Sequence, residues 1–136
     1  MLKATVEAIL VGLALLVVAG PARADHLPTV KVIDADQLKA WIDGGKKMLL
    51  VDSRIASEYK EGHIPTAISI PAAQMERNRN KLPRDRNSML VFYCNGWPEC
   101  KKSHEGCEKA VQWGYQNVYW FRDGLPAWQA KGYPLE

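Results

Sequence analysis

Three thiols cluster between positions 94 and 107 of this chain: Cys94, Cys100 and Cys107. Cys94 ends the apolar run Met89-Leu90-Val91-Phe92-Tyr93 and opens a polar loop that contains Gly96 and Pro98. A helical pattern starts near Ser103. A thiol at the end of a strand, facing a loop that feeds a helix, is set where backbone amides and the helix's first turn lower its pKa and make it a nucleophile. Lys101 and Lys102 add positive charge nearby. Such surroundings suit a thiolate or a persulfide anion. The candidate substrate-binding residues are therefore those of the loop: Asn95, Gly96, Trp97, Glu99, Cys100, Lys101, Lys102 and Ser103. Trp97 reads either as a pocket wall or as a residue that packs the loop.

Cys100 carries two readings. As a resolving thiol it would close a disulfide with Cys94 and give redox protection or thiol–disulfide exchange. As a plain loop residue it would have no role. Cys107 falls on one helical stripe with Ala110, Val111 and Gly114, which places it in the core as a small hydrophobe. His104, Cys100 and Cys107 lie close in sequence, but no C-x2-C pair is present and a structural zinc site takes four ligands. Neither a metal nor a cofactor is expected.

Strands and helices that alternate must hold these residues in place. Val30-Lys31-Val32-Ile33 reads as a short strand. Asp34 and Gln37 read as a capping box ahead of a helix with Leu38, Trp41 and Ile42 on one face, stopped by Gly44-Gly45. Met48-Leu49-Leu50-Val51 is a continuous apolar strand of the kind buried on both faces. Asp52-Ser53-Arg54 leaves it, and a short helix follows over 57–60. Ala67-Ile68-Ser69-Ile70 is another strand, closed by Pro71. After the strand that presents Cys94, a helix over 103–113 ends at Gly114. A strand over 118–121 and a short helix over 126–130 complete the pattern. This alternation predicts an α/β domain with a mostly parallel central sheet and helices on both faces. Ligands bind at the carboxyl ends of strands in such sheets, where both Cys94 and Asp52-Ser53-Arg54 fall.

Residues 1–24 carry Lys3, an apolar run over 8–19 and the A-x-A pattern Ala22-Arg23-Ala24. They read as a signal peptide rather than as part of the fold, and the apolar run is short of the ~20 residues a membrane span needs. Lys3, Arg23 and Glu7 leave with it, so the domain over 25–136 is 112 residues with a formal charge of +2, against +3 for the 136-residue chain. The expected location is periplasmic or secreted, with no stable membrane insertion after cleavage. The charge is too small for a nucleic-acid partner, which calls for a concentrated basic face. Arg77, Arg79, Lys81, Arg84 and Arg86 form one basic stretch, read as a solvated loop, with a weak funnel for an anionic substrate as the alternative. Three cysteines in an oxidising compartment leave at least one thiol unpaired.

The wider pattern resembles the rhodanese-like domains. Val51-Asp52-Ser53-Arg54, Glu58-Tyr59 and Gly62-His63-Ile64-Pro65-Thr66-Ala67-Ile68-Ser69-Ile70-Pro71 resemble the family's N-terminal signature. Gly114-Tyr115, Asn117-Val118, Asp123-Gly124-Leu125-Pro126-Ala127-Trp128 and Gly132-Tyr133-Pro134-Leu135 resemble its C-terminal one. The resemblance implies a sulfurtransferase in which Cys94 carries sulfane sulfur as a persulfide, from a thiosulfate-like or persulfide donor to a thiol or cyanide-like acceptor, with a protein acceptor possible. It also implies that Asp52, Arg54 and His63 form a polar framework beneath the site, joined by Glu58, with His63 hydrogen-bonding near Asp52 and Arg54. The loop departs from the family's pattern. It is longer, Lys102-Ser103 stands where Arg-Ser is usual, and Cys100 occupies the position of the Arg in the C-x5-R loop of related phosphatases. A redox protein using Cys94 and Cys100, or a silent binding module, are the alternatives to the transferase.

Overall fold

The computed structural model describes residues 30–136; the signal-peptide reading and His26 lie outside the described residues. The elements in chain order are β1 (Lys31–Val32), α1 (Ala35–Asp43), β2 (Leu49–Asp52), α2 (Ala56–Glu61), β3 (Ile68–Ser69), β4 (Met89–Tyr93), α3 (Lys102–Gln112), β5 (Asn117–Phe121) and α4 (Gly124–Ala130). Two 3₁₀ turns, Ala72–Gln74 and Arg79–Lys81, lie between β3 and β4. The five strands pair in parallel in the order β1-β5-β4-β2-β3. Among the described residues, no helix is long and apolar enough to cross a membrane.

Local chemistry sets several boundaries. The Asp34 carboxylate accepts the Gln37 N–H at 2.8 Å and starts α1, supplying one of the first-turn donors with an acceptor. Gly114, at φ 93°, follows α3, and Tyr115 N–H returns to the Ala110 carbonyl as a left-handed stop does. The outer strands are shorter than their sequence runs. Only Lys31–Val32 and Ile68–Ser69 count as strand, although Ile33 N–H still reaches Trp120 O and Ile70 N–H reaches Asp52 O.

The sheet is covered on both faces. On one, Val51, Leu90, Phe92, Val118 and Trp120 pack with Met75, Leu82 and the α3 residues Cys107, Ala110 and Val111. On the other, Leu50, Val91, Tyr93 and Phe121 pack with Ala35 and Leu38 of α1 and Leu125 and Trp128 of α4. Gly106 lets α3 sit close to β4, because a Cβ there would lie 2.9 Å from the Phe92 ring.

A buried polar knot joins the carboxyl ends of the two central strands. Asp52 closes β2 directly opposite Tyr93, which closes β4. The Asp52 carboxylate accepts the Arg54 backbone N–H at 3.0 Å, Arg54 Nε at 3.0 Å and Arg54 Nη2 at 2.7 Å. It also accepts the Tyr93 hydroxyl at 2.9 Å, and that hydroxyl accepts the Ile64 N–H at 3.0 Å. Arg54 gives its remaining reach to the Gly62 carbonyl at 2.7 Å. Asp52 is fully buried and Arg54 only 4% exposed. Burial and the neighbouring carboxylate push the Tyr93 hydroxyl well above the ordinary phenol range, so it stays a neutral donor. Burial alone would lower the Arg54 pKa, but the hydrogen bonds and charge of Asp52 outweigh it and raise it.

Removing one member of a buried ion pair strands the other. Asp52→Asn is expected to cost about 3–5 kcal/mol, and Tyr93→Phe about 1–3 kcal/mol, by unpairing the Ile64 N–H and taking one donor from Asp52 Oδ2, which Arg54 still serves. Urea unfolding monitored by circular dichroism measures both; a loss under 1 kcal/mol for Asp52→Asn, well short of that about 3–5 kcal/mol, would show that the knot does not hold the strand ends.

Candidate active site

Cys94 follows the last residue of β4, at the carboxyl edge of the sheet and beside the end of β2. It is 1% exposed, and its thiol is free. The sulfur meets the start of α3. Ser103 N–H points at Sγ from 3.4 Å, and Ser103 Oγ lies 3.1 Å away. Trp120 Nε1 donates to the same Ser103 Oγ at 2.9 Å. An indole N–H is a donor only, so the Ser103 hydroxyl accepts from Trp120 and keeps its own hydrogen for the sulfur. This makes a directed chain from Trp120 on β5, through Ser103 on α3, to Cys94 on β4.

The environment of the thiol differs from the expected cradle of amides and lysines. Burial raises the Cys94 pKa above that of an ordinary thiol, the Cys100 thiol raises it further by hydrogen bonding, and the Ser103 hydroxyl and amide pull it back only in part. Desolvation penalises the thiolate more than these dipoles stabilise it. The amides of Trp97 and Cys100 are spent inside the chain, on the Arg122 and Gly96 carbonyls at 3.0 and 2.8 Å. Lys101 lies over the Trp97 ring, 5.7 Å from its centre, rather than beside the sulfur. Lys102 opens α3 and is half-buried.

The loop has a fixed inner end. The Cys94 carbonyl accepts the Leu125 N–H at 2.9 Å. Gly96, at φ 98°, passes so close to the 123–124 turn that a Cβ would sit 2.7 Å from Asp123 O. Gly124, at φ 68°, leaves even less room, with a Cβ 2.4 Å from Cys94 O. Side chains at either position meet both the unfavourable φ and the clash. Asn95 Nδ2 donates to Glu58 Oε1 at 2.8 Å, so α2 also holds the loop. The outer part is open. Trp97 is 41% exposed, with its ring against Trp120 and His104. Pro98 and Glu99 are exposed, the Trp97–Pro98 peptide is cis, and Cys100 is half-buried. The Cys94 thiol contacts the Cys100 carbonyl at 3.7 Å.

The other candidates fall in different places. Asp52, Arg54 and Glu58 lie beneath the loop, in the contacts already described. His63 does not hydrogen-bond to Asp52 or Arg54. Its ring stacks on Tyr59 at 3.8 Å, Nδ1 meets the Tyr59 carbonyl at 2.9 Å, and its backbone pairs with Glu136 in both directions. The neighbouring Gly62 is the residue that serves Arg54, so His63 acts one step out, fastening the 133–136 segment. Cys107 is buried in the core. Among the described residues, no group of three metal-ligating side chains converges. Arg86 is more than a solvated loop residue. It donates to the Trp113 carbonyl at 2.8 Å and the Tyr115 hydroxyl at 3.1 Å. It also precedes β4, whereas Cys94 follows it. A cleft of about 740 Å³ lined by Lys46, Lys47, Arg84 and Asp85 lies at that same amino end; it contains no thiol, so its size does not make it the site. Tyr93, Trp120 and Ser53 are the site neighbours that the sequence did not single out. Ser53 stands next to Cys94 along the sheet edge, and its Oγ is buried without a partner.

The arrangement offers a shielded sulfur, a hydroxyl and an amide converging on it, and a second thiol on the loop above. The rhodanese-like domain family matches residues 34–131. A protein named sulfurtransferase from Allochromatium vinosum is 31% identical over 106 residues, covering 78% of this chain and 94% of its own. Among solved structures, a rhodanese-like domain protein from Staphylococcus aureus aligns with a TM-score of 0.62 at 28% identity, over 73% of this chain and 91% of that one. A thiosulfate sulfurtransferase from Pseudomonas aeruginosa aligns with a TM-score of 0.68 at 25% identity, over 79% of this chain but only 20% of that one. The parallel sheet, the thiol at the end of its central strand and these matches together make the chain a member of the rhodanese-like domain family.

Proposed function

We propose that this protein is an exported sulfurtransferase in which Cys94 carries sulfane sulfur as a persulfide. The observation that carries this reading is the convergence of Ser103 N–H and Ser103 Oγ on the free Cys94 sulfur at the carboxyl end of β4. Relatives named as sulfurtransferases support sulfur transfer as the general chemistry.

The steps follow from the residues. Cys94 loses its proton and attacks the sulfane sulfur of a donor such as thiosulfate; a Cys94 Sγ–S bond forms as the donor's S–S bond breaks, and sulfite leaves with the bonding pair. The persulfide charge on the outer sulfur then lies near the start of α3, where unpaired first-turn N–H groups favour an anion. A thiol or cyanide-like acceptor removes the outer sulfur and returns the electron pair to Cys94. Ser103 holds the inner sulfur in both half-reactions, donating its hydroxyl hydrogen whenever Cys94 is anionic, and Trp120 fixes that hydroxyl's direction. The free thiol rests protonated because burial dominates its pKa. Loading of the site therefore proceeds faster as pH rises, through the thiolate fraction. The remaining loop residues named as substrate-binding, from Asn95 to Lys102, surround the route to the sulfur.

Incubation with thiosulfate, or with an inorganic polysulfide, followed by intact-mass measurement is expected to show one added sulfur, lost in Cys94→Ser. No addition from either donor to the folded wild-type protein would sink the transferase reading. The acidity of the thiol is a separate matter. Alkylation of Cys94 by iodoacetamide, read as rate against pH on the isolated peptide, should have its midpoint above the ordinary thiol value of about 8.5. Ser103→Ala should move that midpoint further up, because it deletes a hydroxyl that stabilises the thiolate; Trp120→Phe should move it up less. A wild-type midpoint below neutrality would contradict the dominance of burial. Export rests on the pattern at 1–24, and processed protein beginning at Asp25 is the expected result of amino-terminal sequencing of the periplasmic or culture fraction. Unprocessed protein confined to the cytoplasm would sink that part.

A further inference from the structure

Cys94 is 1% exposed, a poor position from which to hand sulfur to anything larger than a small anion. The loop that covers it brings a second thiol back over the site. The Cys94 thiol donates to the Cys100 carbonyl at 3.7 Å, and Cys100, unlike Cys94, is only half-buried. Cys100 N–H is held by Gly96 O at 2.8 Å, and Gly96 is pressed against the 123–124 turn. The second thiol is thus kept over the first by backbone contacts rather than carried on a free tip.

We infer that Cys100 is a relay: the sulfane sulfur moves from the buried Cys94 to Cys100, which delivers it to a thiol on another protein. This rests on the persulfide reading of Cys94. Cys100 Sγ attacks the outer sulfur of the Cys94 persulfide. The Cys100 Sγ–S bond forms as the Cys94 Sγ–S bond breaks, and the electron pair returns to Cys94 Sγ. One proton passes from Cys100 to Cys94, and the persulfide charge goes the other way. One S–S bond replaces another, so no oxidant or reductant is consumed. Burial favours the proton on Cys94 at the end of the step, and Ser103 Oγ hydrogen-bonds to the departing sulfur. A bulky acceptor then meets a persulfide at the surface, beside Trp97 and Lys101, without the covering loop having to open.

The test loads the full-length protein with thiosulfate, traps persulfides with iodoacetamide and cleaves after glutamate, which at Glu99 puts Cys94 and Cys100 on different peptides. The trapped sulfur is expected on both cysteines of the wild type, on neither in Cys94→Ser, and on Cys94 alone in Cys100→Ser. That last result also shows that the variant is folded. Transfer from loaded Cys100→Ser to the single free thiol of serum albumin should fall at least tenfold, and by a larger factor than transfer to cyanide, which is small enough to reach Cys94 directly. Sulfur on Cys94 but never on Cys100, or unchanged delivery to albumin by Cys100→Ser, overturns the relay and leaves the carrier role of Cys94 intact. A Cys94–Cys100 disulfide formed with release of sulfide overturns it as well, since Cys100 would then be attacking the inner sulfur as a resolving thiol. Absence of sulfur from both peptides overturns the carrier reading beneath it.

Discussion

The Asp52 carboxylate is the constraint on which the site depends. It is fully buried, so its position is set by the donors that surround it: the Arg54 fork, the Arg54 backbone and the Tyr93 hydroxyl. The two donor residues belong to different pieces of the architecture. Arg54 turns the chain out of β2 and fastens Gly62; Tyr93 is the last residue of β4 and fastens Ile64. The residue after Tyr93 is Cys94. The carboxylate thereby fixes, through one covalent neighbour, where β4 stops and where the sulfur begins. A hydrophobic cluster of similar volume is often no less stable, but it would not specify that endpoint with directional bonds.

At the sulfur itself two opposed effects meet. Removal from water raises the energy of the thiolate, while Ser103 offers two donors to it. Burial wins for the resting thiol. In the proposed persulfide the added sulfur would carry the charge about 2 Å beyond Sγ, farther from the buried position that penalises the thiolate. On that proposal the site suits the loaded form more than the free thiol. This is a form of preorganisation in which the protein does not stabilise the nucleophile in advance.

Much of this was legible in the residues. The alternation of strand and helix patterns, the Asp34 cap, the Gly114 stop and the position of Cys94 at the end of an apolar run all depend on local chemistry, which a linear chain displays. The short edge strands did not follow from their apolar runs, because pairing on one side only is a property of strand order. The acidity of Cys94 does not follow from the sequence for a related reason: its polar neighbours suggest exposure, whereas Cys94 is buried and Lys101 lies over the Trp97 ring. Trp120 is 26 positions from Cys94 and looked like one more aromatic of a buried strand; only the adjacency of β4 and β5 brings its indole N–H to Ser103. Arg86 read as solvated because its partners, the Trp113 carbonyl and the Tyr115 hydroxyl, come from beyond α3. His63 reads from sequence as a structural residue near Asp52 and Arg54; the neighbouring Gly62 carbonyl meets Arg54, while the His63 ring lies on Tyr59.

The contact between Gly124 and the Cys94 carbonyl, with Gly96 pressed against the same turn, divides the loop into a root and a tip. The root has no spare volume, so its length and course are invariant quantities of the fold. The tip, Trp97 to Glu99, is exposed to solvent. Residues can be exchanged or inserted there without moving the sulfur. A single nucleophile position is in this way compatible with many entrances, and a lineage can change what reaches the sulfur while leaving untouched the atoms that hold it.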